Sequence, residues 1–132
     1  MSFGPQSLVR SYEGGGQIDY RLARRHLLAE FKRGRLSRRE LCDAHPELLR
    51  AARNLGETTT RLCPICEEED LVLVTFAFGS RLPAHGRCVA GRDELAKLAS
   101  RPGELACYVV EVCPACSWNH LVRTFVLGTT AR

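Results

Sequence analysis

The amino-acid sequence predicts an α+β protein in which short N-terminal helices precede a β-rich domain. Helix-start signals and apolar residues at helical spacing lie between residues 19 and 56. Three runs rich in β-branched and aromatic residues lie in the second half of the chain, and two cysteine pairs adjoin these runs. We therefore expect three segments, namely an arm over residues 1–18, a basic helical region over residues 19–56 and a β-rich domain over residues 61–128.

The predicted arm is rich in glycine. It contains Gly4-Pro5 and the run Gly14-Gly15-Gly16, with few large apolar side chains. A glycine run leaves the backbone unconstrained because glycine has no Cβ atom. We expect this segment to be flexible or partly extended, and able to become ordered on a partner.

The helical region carries the signals of three helices. Asp19 has the side chain of an N-cap, and Gly34 stands where a C-terminal glycine would end a first helix of about four turns. Ser37 and Glu40 have capping-box spacing, which predicts a short second helix. Pro46 is suited to the first turn of a third helix, where a missing backbone N–H leaves no hydrogen bond unmade.

Positive charge is concentrated in this helical region. The chain has a formal net charge of +4, and residues 21–39 carry eight basic side chains against one acid, Glu30. Basic side chains on one helix face can contact successive phosphates and release counterions. A solvated basic face without a partner is the alternative. The predicted nucleic-acid-binding residues are Arg21, Arg24, Arg25, Lys32, Arg33, Arg35, Arg38 and Arg39.

The cysteine pairs, Cys63-Pro-Ile-Cys66 and Cys113-Pro-Ala-Cys116, predict one metal site. Two residues between cysteines allow a tight turn, or knuckle, that directs both sulfurs at one centre, so each pair supplies half of a tetrahedron. Four thiolates are common ligands of a structural zinc ion. The predicted cofactor is therefore Zn²⁺, and its predicted ligands are Cys63, Cys66, Cys113 and Cys116.

A redox dithiol and a disulfide framework are the alternatives to zinc. A thioredoxin-like motif has one such pair near a βαβ pattern, whereas this chain has two pairs and no such alternation. Disulfide frameworks are typical of secreted proteins, but no secretory signal follows Met1, and seven cysteines is an odd number. The longest apolar stretch has eight residues, too few to span a membrane. We expect a cytoplasmic protein.

The β-rich domain has the features of a zinc ribbon. Strands are predicted over residues 71–78, 105–112 and 121–127, each next to a knuckle, and a short helix over residues 92–100. The two pairs are separated by 46 residues, more than the roughly 15 to 20 of a minimal two-knuckle site. We expect a zinc-ribbon domain with a helical insert between its knuckles.

Three stretches support a family resemblance, namely residues 51–57 (AARNLGE), the first cysteine pair, and residues 113–120 (CPACSWNH). Together they resemble a small uncharacterised actinobacterial family of zinc-ribbon proteins, over most of the chain past residue 36. The resemblance implies a fold and metal ligands but no reaction, because the family has no established activity. Glu67 and Ser117 follow the second cysteine of each pair, where the commonest knuckle has glycine.

The remaining candidate residues have simpler interpretations. His85 and Cys88 lie three residues apart, but no third, orienting group accompanies them, as nucleophilic catalysis usually requires. We interpret Cys42 and Cys107 as small apolar core residues. Trp118, the single tryptophan, is a possible interface residue at a knuckle tip, with packing over the metal site as the alternative.

These features predict a non-enzymatic zinc-binding module that binds nucleic acid or a nucleoprotein machine, such as the ribosome or RNA polymerase, through its basic helical region. RNA, DNA or one of these machines is the expected partner, and no membrane is expected. Two alternatives stay open. A protein-only adaptor would use the β-rich domain and Trp118, and a thiol redox or zinc-sensing protein would use the cysteine pairs or Cys88.

Overall fold

The computed structural model describes residues 17–129, which form four helices and six strands. The elements in chain order are β1 (Gln17–Asp19), α1 (Arg21–Lys32), α2 (Arg38–Leu41), α3 (Pro46–Leu55), β2 (Glu57–Leu62), β3 (Asp70–Phe78), β4 (Arg87–Val89), α4 (Gly91–Ala99), β5 (Gly103–Val112) and β6 (Asn119–Thr129).

The six strands of the described residues form one sheet of order β1-β6-β5-β3-β2, with β4 also paired with β3. β2 pairs antiparallel with the first half of β3, and β4 pairs antiparallel with its second half. β1 pairs antiparallel with β6, so that Asp19 lies opposite Arg123. Helices and an extensive sheet in one chain confirm the predicted α+β class.

The chain divides into two compact units. The helical unit contains residues 20–74 and 110–122, with α1 to α3 and both cysteine pairs. The strand unit contains, among the described residues, 17–19, 75–109 and 123–129, with β4 and α4. Strands β3, β5 and β6 contribute residues to both units.

Cysteines form part of the core of the helical unit. Leu27, Leu28 and Phe31 of α1 are half-buried and pack against this core. Because the apolar side of α1 is turned inward, its basic side chains other than that of Arg24 are left exposed. The buried residues of the core are Leu41, Cys63, Ile65, Leu71, Cys113 and Trp118.

Helix α1 ends where the sequence predicts. Gly34 has φ +78°, a left-handed conformation that glycine adopts without steric cost. The amide of Gly34 donates to the carbonyl of Phe31 at 3.0 Å, and the amide of Arg35 donates to the carbonyl of Glu30 at 2.9 Å. These two bonds are those of a Schellman motif, which satisfies carbonyls that the helix leaves unpaired.

The prediction that Asp19 caps α1 is wrong. Asp19 lies in β1, and Tyr20 occupies the N-cap position without a capping hydrogen bond from its side chain. Pairing with β6 holds the backbone extended up to Asp19, so the helix begins later. Of the predicted arm, Gln17 and Ile18 also lie in β1, whereas residues 1–16 lie outside the described residues.

The next two helices begin as predicted. The amide of Glu40 donates to Ser37 Oγ at 3.1 Å, and the amide of Ser37 donates to Glu40 Oε1 at 2.8 Å, which completes the capping box of α2. Pro46 opens α3, and His45 caps it by accepting a hydrogen bond at Nδ1 from the amide of Glu47 at 3.0 Å.

The strand unit has its own apolar core. Cys107 and Leu98 are buried, and the rings of Phe78 and Tyr108 meet edge to face with centroids 5.4 Å apart. Helix α4 overlaps the helix expected over residues 92–100. None of the helices in the described residues has the length and apolar character needed to cross a bilayer.

Candidate metal centre

The four predicted metal ligands come together in the helical unit. The Sγ atoms of Cys63, Cys66, Cys113 and Cys116 all lie within 4.8 Å of one another. Cys63 Sγ is 3.7 Å from Cys116 Sγ, and Cys66 Sγ is 3.6 Å from Cys113 Sγ. A disulfide would bring two sulfurs to about 2.05 Å, and all cysteines in the described residues are free. The cluster could therefore hold a metal ion.

The first knuckle turns tightly around Cys63. The amide of Glu67 donates to the carbonyl of Cys63 at 3.1 Å, and the amide of Cys63 donates to the carbonyl of Glu69 at 2.8 Å. The amide of Ile65 donates to Cys63 Sγ at 3.3 Å. A backbone N–H aimed at a sulfur stabilises the thiolate form, which is the form that binds metal.

The second knuckle closes with the same first bond, from the amide after its second cysteine to the carbonyl of its first. The amide of Ser117 donates to the carbonyl of Cys113 at 2.9 Å, and the amide of Cys113 donates to the carbonyl of Trp118 at 2.9 Å. The amide of Cys116 points at Cys113 Sγ at 3.5 Å. Two segments 47 residues apart, each closed by this bond, thus present their sulfurs to one centre.

Both knuckles require a left-handed residue after the second cysteine. Glu67 has φ +55° and Ser117 has φ +76°, the only non-glycine residues with positive φ among those described. These are the two positions where the sequence departs from the common knuckle with glycine. The departure leaves the turn intact but stores strain, because a Cβ atom crowds the carbonyl in this conformation.

Burial differs among the four cysteines. Cys63 and Cys113 are buried, and Cys66 and Cys116 are half-buried. Burial raises the pKa of the Cys113 thiol and that of the Cys116 thiol, since a thiolate loses its hydration there. A bound cation would oppose this effect by stabilising the thiolates.

A buried carboxylate lies beside the second knuckle. Glu111 is 1% exposed and accepts two hydrogen bonds at Oε2, from Arg24 Nε at 2.7 Å and from Trp118 Nε1 at 2.8 Å. The ring of His120 stacks on that of Trp118 with centroids 5.8 Å apart, and burial lowers the pKa of His120. Glu111 thereby joins α1, β5 and the second knuckle.

The structure corrects the prediction that Trp118 offers an interface. Its side chain is 0% exposed, because the indole ring packs in the core formed by the cysteines and its N–H is satisfied by Glu111. The structure agrees with the alternative considered from the sequence, because the ring packs against the cysteine cluster. A fully buried ring has no surface left for a base or a partner pocket.

The predicted nucleic-acid-binding residues lie on α1, α2 and the turn between them. All are exposed except Arg24, which is half-buried and paired with Glu111. Arg33 and Arg35 both form ion pairs with Glu30. An open surface hollow lies along α1 and is lined by Arg21, Arg24, Arg25, Leu28, Ala29 and Lys32.

Two residues of this region were not recognised from the sequence. Cys42, interpreted as a core residue, has its Sγ 3.6 Å from Cys116 Sγ. No local signal could have shown this, because the two residues are 74 positions apart. Glu111 could have been found, since alternation along β5 assigns it to the same buried face as Cys107 and Val109.

The other candidates lie in the strand unit. His85 is exposed in a turn before β4, and Cys88 is half-buried within β4. Burial, followed by the nearby carboxylate of Glu94, raises the pKa of Cys88. Burial raises the pKa of Cys107 to about 12, in agreement with the interpretation of Cys107 as a core residue.

Comparison with known proteins identifies relatives of the chain. It is 50% identical over 111 residues to Uncharacterized protein Rv0049 of Mycobacterium tuberculosis and to Uncharacterized protein Mb0050 of Mycobacterium bovis. Each match covers 84% of this chain and 81% of the relative. No solved structure matches the chain. Residues 14–132 match a family of unknown function, DUF5318, and the chain belongs to that family.

Proposed function

We propose that this protein is a non-enzymatic binding module that holds one structural zinc ion and binds RNA or DNA, free or within a nucleoprotein machine such as the ribosome or RNA polymerase. The observation that carries the proposal is that α1 has one packed apolar face and one open basic face. Leu27, Leu28 and Phe31 pack against the core that contains the cysteines, while four basic residues of the same helix line one open surface hollow.

The donor set supports zinc. Thiolates are soft ligands, which favour Zn²⁺, Cu(I) or iron over Mg²⁺ and Ca²⁺. A tetrahedral site with Zn–S bonds of about 2.3 Å has sulfurs about 3.8 Å apart, close to the 3.6 and 3.7 Å found between the two knuckles. Four protein ligands leave no open position for water or substrate, which is typical of a structural site. When bound, the ion supplies the charge that balances the four thiolates.

The arrangement of α1 supports a phosphate-binding role. Arg21 and Arg25 are about 6 Å apart along the helix axis, and Lys32 lies about 16.5 Å from Arg21. All three lie within about 40° of one another around the axis and line the same surface hollow. Neither Arg25 nor Lys32 forms an ion pair with any residue between 17 and 129.

The contact between Arg24 and Glu111 supports a link between the two parts of the proposal. The bond at 2.7 Å holds α1 to the strand that leads into the second knuckle. Arg24 is therefore a positioning residue for the basic side of α1 rather than a phosphate contact. Binding of zinc should order the knuckles. Through the contact between Glu111 and Arg24, it should also fix the direction in which α1 presents its basic side chains.

Fluorescence anisotropy tests the proposal. Zinc-loaded protein would be titrated into labelled single-stranded RNA, single-stranded DNA and duplex DNA at a series of salt concentrations. Three phosphate contacts on a single strand predict a slope of about −2 for the logarithm of the association constant against that of the salt concentration. Absence of salt-sensitive binding by a sample with one zinc per chain would overturn the nucleic-acid part.

A matched pair of variants locates the binding surface. Arg25→Glu with Lys32→Glu should reduce the magnitude of the salt slope on a single strand by about 0.7 for each phosphate that the variant no longer neutralises. Arg92→Glu with Lys97→Glu makes the same change in net charge on α4, where both residues are exposed, and should leave the slope unchanged. An equal decrease in both variants would contradict a role for α1.

A pull-down from lysate, with and without nuclease, separates nucleic acid from a protein-only partner. Loss of the captured partner after nuclease treatment is expected. Retention of the same partner after complete digestion, together with the absence of direct RNA or DNA binding, would favour an adaptor instead.

A further inference from the structure

Cys42 is a fifth sulfur beside the four-cysteine cluster. Its Sγ lies 3.6 Å from Cys116 Sγ, as close as the sulfurs of the two knuckles lie to each other. It is not one of the four sulfurs that all lie within 4.8 Å of one another. Cys116 thus has a neighbouring thiol that is outside the tetrahedron.

The position of Cys42 is held by several contacts. It follows α2, whose last residue, Leu41, is buried in the core with Cys63 and Cys113. Beyond it, the amide of Ala44 donates to the carbonyl of Ser117 at 3.1 Å. Asn119 Nδ2 also donates to Asp43 Oδ1 at 3.0 Å. Two hydrogen bonds therefore fasten the loop after α2 to the second knuckle.

Access to the sulfurs of the cluster is uneven. Cys42, Cys66 and Cys116 are half-buried, whereas Cys63 and Cys113 are buried, so a small solute has better access to the first three. Cys116 therefore combines an accessible sulfur with a half-buried neighbour, Cys42, at 3.6 Å.

We propose that Cys42 and Cys116 form a reversible disulfide in response to a peroxide, and that this disulfide removes one ligand from the metal site and releases the ion. The inference rests on the zinc site proposed above. Cys42 differs from the three other cysteines near Cys116 because it is not needed as a ligand. Its thiol can attack without first leaving the metal.

The step balances with hydrogen peroxide as the oxidant. The Cys116 thiolate attacks one peroxide oxygen, which gives a sulfenic acid and hydroxide. The Cys42 thiol loses its proton and attacks the Cys116 sulfur, so that the S–S bond forms and water leaves. The two sulfurs together lose two electrons, and the peroxide is reduced. The sulfurs must approach by about 1.6 Å to reach the disulfide length, a movement within reach of side-chain rotation.

Peroxide titration of the zinc-loaded full chain tests the inference. A chromophoric chelator would follow released zinc, and mass spectrometry of unreduced peptides would identify the first disulfide. The expected result is one zinc released per chain together with a peptide linked through Cys42 and Cys116, both reversed by a dithiol reductant and added zinc. A first disulfide between any pair other than Cys42 and Cys116, for example Cys113 and Cys116, would overturn the inference. This measurement needs no variant.

Two serine variants sharpen the test. Cys42→Ser should bind zinc as the wild type does but release it several-fold more slowly, without the linked peptide. Cys88→Ser removes a half-buried cysteine of the strand unit and should behave like the wild type. Equal rates of zinc release from Cys42→Ser and wild type would contradict the role of Cys42 but not the metal site. If the wild type, Cys42→Ser and Cys88→Ser all fail to hold zinc before peroxide is added, the metal site itself is contradicted, and with it the proposed function.

Discussion

Arg24 donates a hydrogen bond from Nε to Oε2 of Glu111 at 2.7 Å, across 87 positions of the sequence. The carboxylate is 1% exposed, and Trp118 Nε1 donates to the same oxygen at 2.8 Å. An ionised carboxylate is buried at great cost unless partners replace its hydration. Glu111 therefore ties α1 to β5 only while both Arg24 and Trp118 donate to it.

Substitution of Glu111 should destabilise the protein. Glu111→Ala leaves the buried indole N–H without an acceptor and Arg24 without its counter-charge. Loss of one partner of a buried pair costs about 3 to 5 kcal/mol. The Arg24 side chain is 29% exposed, so water compensates part of this, and we expect a decrease of about 2 to 3 kcal/mol in the free energy of unfolding. Urea denaturation of zinc-loaded protein measures it.

The control for this variant lies on the same strand. Glu104 of β5 is exposed, and Glu104→Ala should change the free energy of unfolding by less than about 0.5 kcal/mol. If the two alanine variants unfold at the same urea concentration, Glu111 does not stabilise the fold as described.

Metal removal should be visible in the fluorescence of Trp118. This single tryptophan is fully buried in the core that contains Cys63 and Cys113. Without the ion, four neighbouring sulfurs lose their common centre, and folding coupled to metal binding is reversed. A strong chelator should shift the emission to longer wavelength, and added Zn²⁺ should restore it, whereas Mg²⁺ should not. An unchanged spectrum in verified metal-free protein would contradict a structural role for the metal.

The second knuckle should accept glycine at position 117. Ser117 has φ +76°, a conformation that costs a residue with a Cβ atom about 1 to 2 kcal/mol. Glycine removes this strain but loses about 0.5 to 1 kcal/mol of chain entropy. Ser117→Gly should therefore stabilise the protein slightly, by up to about 1.5 kcal/mol.

A β-branched residue at the same position should have the opposite effect on stability. Ser117→Val places two γ carbons on a left-handed residue and should lower the melting temperature, while leaving all four cysteines in place. A valine variant as stable as the glycine variant would mean that the knuckle turn differs from the one described.

The thiols should fall into three classes in alkylation experiments. In zinc-loaded protein the four ligands are protected, Cys42 and Cys88 are half-buried and should react, and Cys107 should not. Burial raises the pKa of Cys107 to about 12, so its thiolate is scarce at mildly alkaline pH. Peptide mapping after iodoacetamide treatment checks this. Labelling of Cys107 before Cys88 would contradict the core position of Cys107.

Features that depend on neighbours in the sequence were predictable. The capping box of Ser37 and Glu40 and the turn at Gly34 involve residues a few positions apart, and local hydrogen bonds and local backbone preferences decide them. Each cysteine pair is likewise a local turn, so the grouping of Cys63 with Cys66 and of Cys113 with Cys116 follows from spacing.

Features that depend on pairing between strands were less predictable. β2 has the sequence ETTTRL and is almost entirely exposed, so it lacks the apolar alternation that marks a strand, and pairing with β3 makes it one. Asp19 was assigned to a helix cap, but backbone pairing opposite Arg123 draws it into β1. Tertiary hydrogen bonds outweigh the local preference of the side chain there.

The sequence by itself determined the α+β class, the four cysteines that could hold a metal ion and the basic character of α1, because these are properties of composition, period and spacing. Only the tertiary structure decided which side chains meet across long separations. It buried Trp118, engaged Arg24 with Glu111 and brought Cys42 to Cys116. Such contacts depend on how the helical unit packs around its cysteines, and no residue pattern within one element encodes them.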